Sequence, residues 1–211
     1  MFAKIYQKCI RQGTFFFIIS MLSLCWFIPV LAGATEGGDS PQAVFKAAQA
    51  AGAKRDFSTL TNLTAPSERP LLALGADMSV GMFVEFYEGK KANELKKKYQ
   101  EIQNKYGIKT GNKDKGEKLK ITSETSQEVI NQHMRKRAKK LYGHVDTAKY
   151  VPSIMGIVIN MPEMAEQSFF PPEKLADLKI NGDKATGKAG KKKISFIREG
   201  GRWYLTADFM D

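Results

Sequence analysis

The chain has 211 residues with 33 basic against 22 acidic side chains, a formal net charge of +11, and two cysteines. Cys9 and Cys25 both precede residue 35, so the remainder carries no disulfide framework, no thiol nucleophile and no thiolate metal site. Patterns for a serine-nucleophile elbow, a phosphate-binding P-loop and a dinucleotide-binding glycine loop are absent, which removes the commonest hydrolase, nucleotide and redox classes.

Lys4, Lys8 and Arg11 form a basic start, an uncharged apolar run covers residues 14–31, and Ala32, Gly33 and Ala34 are the small residues that a signal peptidase reads. The expectation is a signal peptide over residues 1–34, cleavage before Thr35, and export to the periplasm or beyond. The alternative is an uncleaved N-terminal membrane anchor. Residues 35–211, 177 in all, suffice for a single domain. Its charge is uneven: residues 35–88 hold 4 basic and 7 acidic side chains, residues 89–142 hold 16 and 6, and residues 143–211 hold 10 and 9. A basic helical insertion in a nearly neutral domain is the reading.

Ser40-Pro41 marks a helix start, Val44, Phe45, Ala48 and Ala51 repeat at helical spacing, and Gly52 is read as the stop. Asp56 opens a short second helix that buries Leu60 and Leu63. Residues 67–87 fit a helix through Leu71, Leu74, Met78 and Met82, or a strand through Met78, Val80, Met82, Val84 and Phe86. Length and small residues favour the helix, with the methionines as core. Ala92, Leu95, Tyr99, Ile102 and Tyr106 line one face of the next helix, which Gly107 ends. A lysine-rich loop over 109–120 follows, then a capping box at Thr125 and Glu128 opening a helix with Ile130, Met134, Ala138 and Leu141 inward. These two helices are expected to project as a basic pair. One further helix, entered at Pro152, lies within 146–160.

The last third reads as four short strands, 178–180, 184–188, 192–198 and 202–209, with turns at Asn181-Gly182-Asp183, Ala189-Gly190-Lys191 and Glu199-Gly200-Gly201. Trp203, Leu205, Ala207 and Phe209 share the face expected inside. The fold class is α+β, with helices packed on one face of a curved antiparallel C-terminal sheet.

The opening helices over 40–66, and the closing Gly182-Asp183-Lys184-Ala185-Thr186 with Gly201-Arg202-Trp203-Tyr204-Leu205, resemble exported members of the nuclear transport factor 2-like superfamily. The resemblance implies a cone-shaped sheet around helices, a scaffold shared by isomerases, dehydratases, binding modules and accessory domains. It directs attention to Asp, Tyr and His side chains. Asp77 is the unusual carboxylate, within an apolar segment; its ordinary explanation is an exposed stripe or a cap beside Gly75, its chemical one a base in a pocket. Tyr87, Tyr99 and Tyr204 are possible donors. His133 and His144 are isolated, so neither a catalytic residue nor a metal site is assigned, and no cofactor is expected.

Arg135, Lys136, Arg137, Lys139 and Lys140 place five cations in six residues; the ordinary explanation is a solvated helix face, and the functional one a candidate anion surface. No aromatic residues are interleaved to stack bases, so nucleic acid is not the expected partner. An anionic envelope surface, an acidic glycan or an acidic protein is. The functional expectation is a non-catalytic binding or accessory domain of the bacterial cell envelope; the alternative is a small-molecule enzyme of isomerase, dehydratase or hydrolase type using the cone.

Overall fold

The computed structural model describes residues 36–108, 126–159, 161–162 and 169–207. The chain divides into two units, 1–33 and 34–211, and everything described here belongs to the second. The expected leader, the lysine-rich loop, Thr125 and Phe209 lie outside the described residues. Six helices precede a four-stranded antiparallel sheet among the described residues: α1 Pro41–Lys54, α2 Phe57–Leu63, α3 Arg69–Phe86, α4 Ala92–Lys105, α5 Gln127–Tyr142, α6 Thr147–Met155, then β1 Leu175–Asn181, β2 Lys184–Ala189, β3 Lys192–Glu199 and β4 Arg202–Leu205. The α+β class with helices against a sheet is as expected.

Local chemistry sets the helix starts. Ser40 Oγ accepts from the Ala43 amide at 3.2 Å, Asp56 Oδ1 from Thr59 at 2.9 Å, and Ser126 Oγ from Val129 at 3.4 Å. The last bond places the α5 cap at Ser126, one residue beyond the expected Thr125. Gly52 does not end α1, which continues to Lys54 and closes on Arg55 at φ 57°. Its role is contact: a Cβ at Gly52 would stand 2.6 Å from Phe170 Cβ. Pro152 lies inside α6 and not at its entrance, which Asp146 occupies.

The sheet is a simple meander in the order β1-β2-β3-β4. Gly200 and Gly201 both take positive φ, 56° and 82°, as a two-residue turn matched to strand twist requires. In β1 a bulge at Asp177, φ 52°, sits opposite Gly187, where a Cβ would come within 2.7 Å of Leu175 Cδ1. Ala185, Ile194, Phe196, Trp203 and Leu205 are buried, and α1 packs on β4.

β4 would be an edge strand, but the chain itself covers it. Gly38 pairs with Trp203 through two backbone bonds, 2.9 and 2.8 Å, and the Ala65 amide donates to Leu205 O at 2.9 Å. Gly37, at φ 63°, lies so close to the Tyr204 ring that a Cβ would meet it at 2.7 Å. Tyr204, expected on the open face, is therefore buried. Arg69 secures the same corner by donating to Thr64 O and Asn62 O and pairing with Glu36 at 3.1 Å.

Residues 69–86 are helical, yet the methionines do not form the core. Leu72, Ala73, Leu74, Ala76, Val80 and Val84 are buried, while Met78 and Met82 are 43% and 57% exposed. A helix apolar on nearly every side offers two stripes, and the one with smaller residues allows the closer approach of neighbours. Gly81 makes that approach: a Cβ there would lie 2.7 Å from Tyr99 Oη of α4. The basic pair α4 and α5 does not project. Both helices pack on α3.

Candidate functional site

Asp77 is 9% exposed, not on the open stripe that its surroundings in sequence suggested. Four helices converge on its side chain. Tyr142 Oη, from the end of α5, donates to Oδ2 at 2.8 Å, and Tyr150 Oη, from α6, donates to Oδ1 at 2.5 Å. Gln103 Nε2, from α4, donates to both oxygens at 3.0 and 3.3 Å. Tyr99 Oη reaches the Asp77 carbonyl at 3.4 Å. A carboxylate removed from water must find donors in the protein, and these supply them.

The aromatic rings complete a packed cluster. Tyr150 meets Tyr106 edge-on at 5.2 Å and lies 5.7 Å from Tyr142. Tyr106 Oη pairs separately with Ser153 Oγ at 3.2 Å. Gln103 is 2% exposed, and its Oε1 is the buried side-chain oxygen that finds no partner among the described residues. The phenols of Tyr99, Tyr142 and Tyr150 are all pushed above the ordinary tyrosine range, first by burial and then by the Asp77 carboxylate, so they act as neutral donors.

The sign of the resulting pH dependence follows. In the unfolded chain tyrosine ionises near pH 10, whereas these three remain protonated in the folded chain above that value. Their contribution to stability is full below about pH 10 and falls as pH rises beyond it toward the folded values. Urea midpoints should drop as pH rises above about 10, and Tyr142→Phe with Tyr150→Phe should make that drop shallower. Phenolate absorbance that rises equally early in native and unfolded protein would contradict the arrangement.

A small, largely apolar void between Phe57, Leu60, Thr61, Leu72, Val151, Met155 and Phe169 measures about 30 Å³, the space of about one water. A larger, open recess of about 400 Å³ lies beside the β1 bulge among Lys179, Thr186, Lys188 and Lys193. Among the described residues no group of three or more His, Cys, Asp or Glu side chains could hold a metal ion. His133 is partly buried on α5, and His144 is exposed after it.

The five cations of α5 differ in their situations. Arg135 is turned inward, its Nε and Nη2 donating to Glu68 Oε1 and Oε2 at 3.0 and 2.9 Å. This two-pronged pair pins α5 to the start of α3. Lys136, Arg137, Lys139 and Lys140 are exposed, Lys136 and Lys140 opposite the side that buries Ala138 and Tyr142 and the other two at its flanks. Tyr87 is partly buried against Phe83.

Of the Asp77 constellation, the carboxylate and Tyr99 were singled out from the sequence, whereas Gln103, Tyr142 and Tyr150 were not. Gln103 carried a readable signal, because it falls on the same helical side as Tyr99, Ile102 and Tyr106. Comparison with known proteins finds no matching family model, curated protein or solved structure.

Proposed function

We propose that this chain is an exported, non-catalytic binding or accessory domain of the bacterial cell envelope, which holds an anionic partner on the outward side of α5. The observation that carries the reading is the concentration of exposed charge on α5: Arg135 pairs with Glu68, and Lys136, Arg137, Lys139 and Lys140 are all exposed within two turns. The basic start, apolar run and Ala32-Gly33-Ala34 support export. The resemblance to the nuclear transport factor 2-like superfamily is compatible with an accessory role and belongs to this proposal.

The enzyme alternative asks for an acid or base open to a substrate. Asp77 has both oxygens engaged by Tyr142, Tyr150 and Gln103, which makes it a junction between helices. That favours the binding module.

Replacing Lys136, Arg137, Lys139 and Lys140 together by Gln should abolish salt-sensitive retention on anionic vesicles or an acidic polysaccharide. Arg135 is left in place because it holds the fold. Retention of the native protein should weaken between 0.1 M and 1 M salt, as the Debye length shrinks from about 10 Å to about 3 Å. The thermal midpoint should move little, since exposed charges contribute under about 1 kcal/mol each. Equal retention of native and variant protein would defeat the assignment.

A further inference from the structure

The C-terminal half of α3 carries a line of large apolar side chains that stay exposed to increasing degree toward its end. Met78, Met82 and Phe86 follow one another at four-residue intervals and are 43%, 57% and 80% exposed. They therefore stand on one side of the helix over about 12 Å. Gly75 continues the line, and a Cβ built there meets no atom within 4 Å. Isolated exposed hydrophobics need no explanation, but an aligned row ending in a nearly bare phenylalanine is a surface patch.

Lysines border this row. Lys90 and Lys91 are exposed in the turn that follows Phe86, and Lys96 of α4 reaches Glu85 at 3.6 Å, beside the apolar line. Residues 85–98 hold five lysines against three glutamates; Lys96, Lys97 and Lys98 pair with Glu85, Glu101 and Glu94, so Lys90 and Lys91 carry the border's positive charge. Apolar side chains with a lysine border suit a surface that is oily below and anionic above. They suit a second copy of this chain poorly, since pairing would bring the two lysine borders together. Three side chains also offer a few hundred Å² at most, well below the 1,200 Å² or so of a stable protein interface. Among the described residues no helix is long and apolar enough to cross a membrane, so the contact would be one of lying on the bilayer.

We propose that Met78, Met82 and Phe86 dip into an anionic lipid surface while Lys90 and Lys91 meet its headgroups. This names the partner within the binding-module reading and rests on that reading, but different residues carry it.

The test uses the full chain with Cys9→Ser and Cys25→Ser and a single polarity-sensitive fluorophore, attached through Met82→Cys or, as control, Lys184→Cys on the sheet. Vesicles containing phosphatidylglycerol should shift the emission of the probe at position 82 to the blue and leave the probe at 184 unchanged. Pure phosphatidylcholine vesicles should produce much less shift. Adding Met78→Ser and Phe86→Ser should weaken the vesicle titration about tenfold or more, with the thermal midpoint unchanged because both side chains are exposed.

A chain bound to vesicles with an unmoved probe at 82 would overturn the proposal, since attachment would then run through another segment. No vesicle binding would overturn it as well. A blue shift that grows with protein concentration in the absence of lipid would assign the row to a second copy instead. The fourfold α5 variant separates the two readings. If it binds like the native chain while the probe at 82 still shifts, the α5 surface fails and the α3 contact stands.

Discussion

Asp77→Ala is expected to cost roughly 3–5 kcal/mol. The substitution strands the hydroxyls of Tyr142 and Tyr150 and the amide of Gln103 without an acceptor, in a place water does not reach. Each buried donor left unpaired costs about 1–3 kcal/mol, and some relaxation keeps the total below the simple sum. Asp77→Asn should be milder, for a reason visible in Gln103. Its unpartnered Oε1 can turn toward the new amide, and the tyrosine hydroxyls can accept as well as donate. Urea denaturation of both variants checks this, and an Asp77→Ala midpoint equal to that of the native protein would mean the four helices are held together by packing alone.

Trp203→Ala should cost a comparable amount, roughly 3–5 kcal/mol, through lost burial and the cavity left behind. The indole is 7% exposed, on the strand that α1 packs against and that Gly38 pairs with. Its loss should therefore loosen both α1 and the segment 36–38. Faster hydrogen exchange at the Gly38 amide, which donates to Trp203 O, is the specific signature, and normal protection there together with a lowered midpoint would locate the damage elsewhere.

The parts of this fold that could be read from the residues are those decided within a few positions along the chain. Ser40-Pro41, Asp56 and the Gly-containing turns at 182, 190 and 200 act locally, and the helices and hairpins begin and turn where they stand. Features decided by distant neighbours were hidden. Gly52 reads as a stop until Phe170, over a hundred residues away, is seen pressing on it. Tyr204 reads as outward until residues 37–38 cover it. The two apolar stripes of α3 have nearly equal claims from sequence, and only the positions of α4, α5 and α6 decide which is buried.

The carboxylate cluster is the extreme case of the same limit. Residues 77, 103, 142 and 150 come from four helices and form no spaced motif, so each taken alone has an ordinary meaning. Asp77 within an apolar helix, and Gln103 on an otherwise apolar side, were the two traces that such a junction left in the sequence. Arg135 was equally ambiguous. Within a run of cations nothing local marks the one whose position opposite Glu68 turns it into a structural pin.

The pairing of β4 with residues 38 and 65 also bears on when the domain can exist at all. A growing chain that has reached only residue 199 possesses every helix but lacks the strand that Gly38 and Ala65 bond to and that α1 rests on. Closure of this corner must therefore wait until residues 202–205 have been made. Until then the segments around Gly38 and Ala65 lack their backbone partners, and the β3–β4 hairpin acts as the latch.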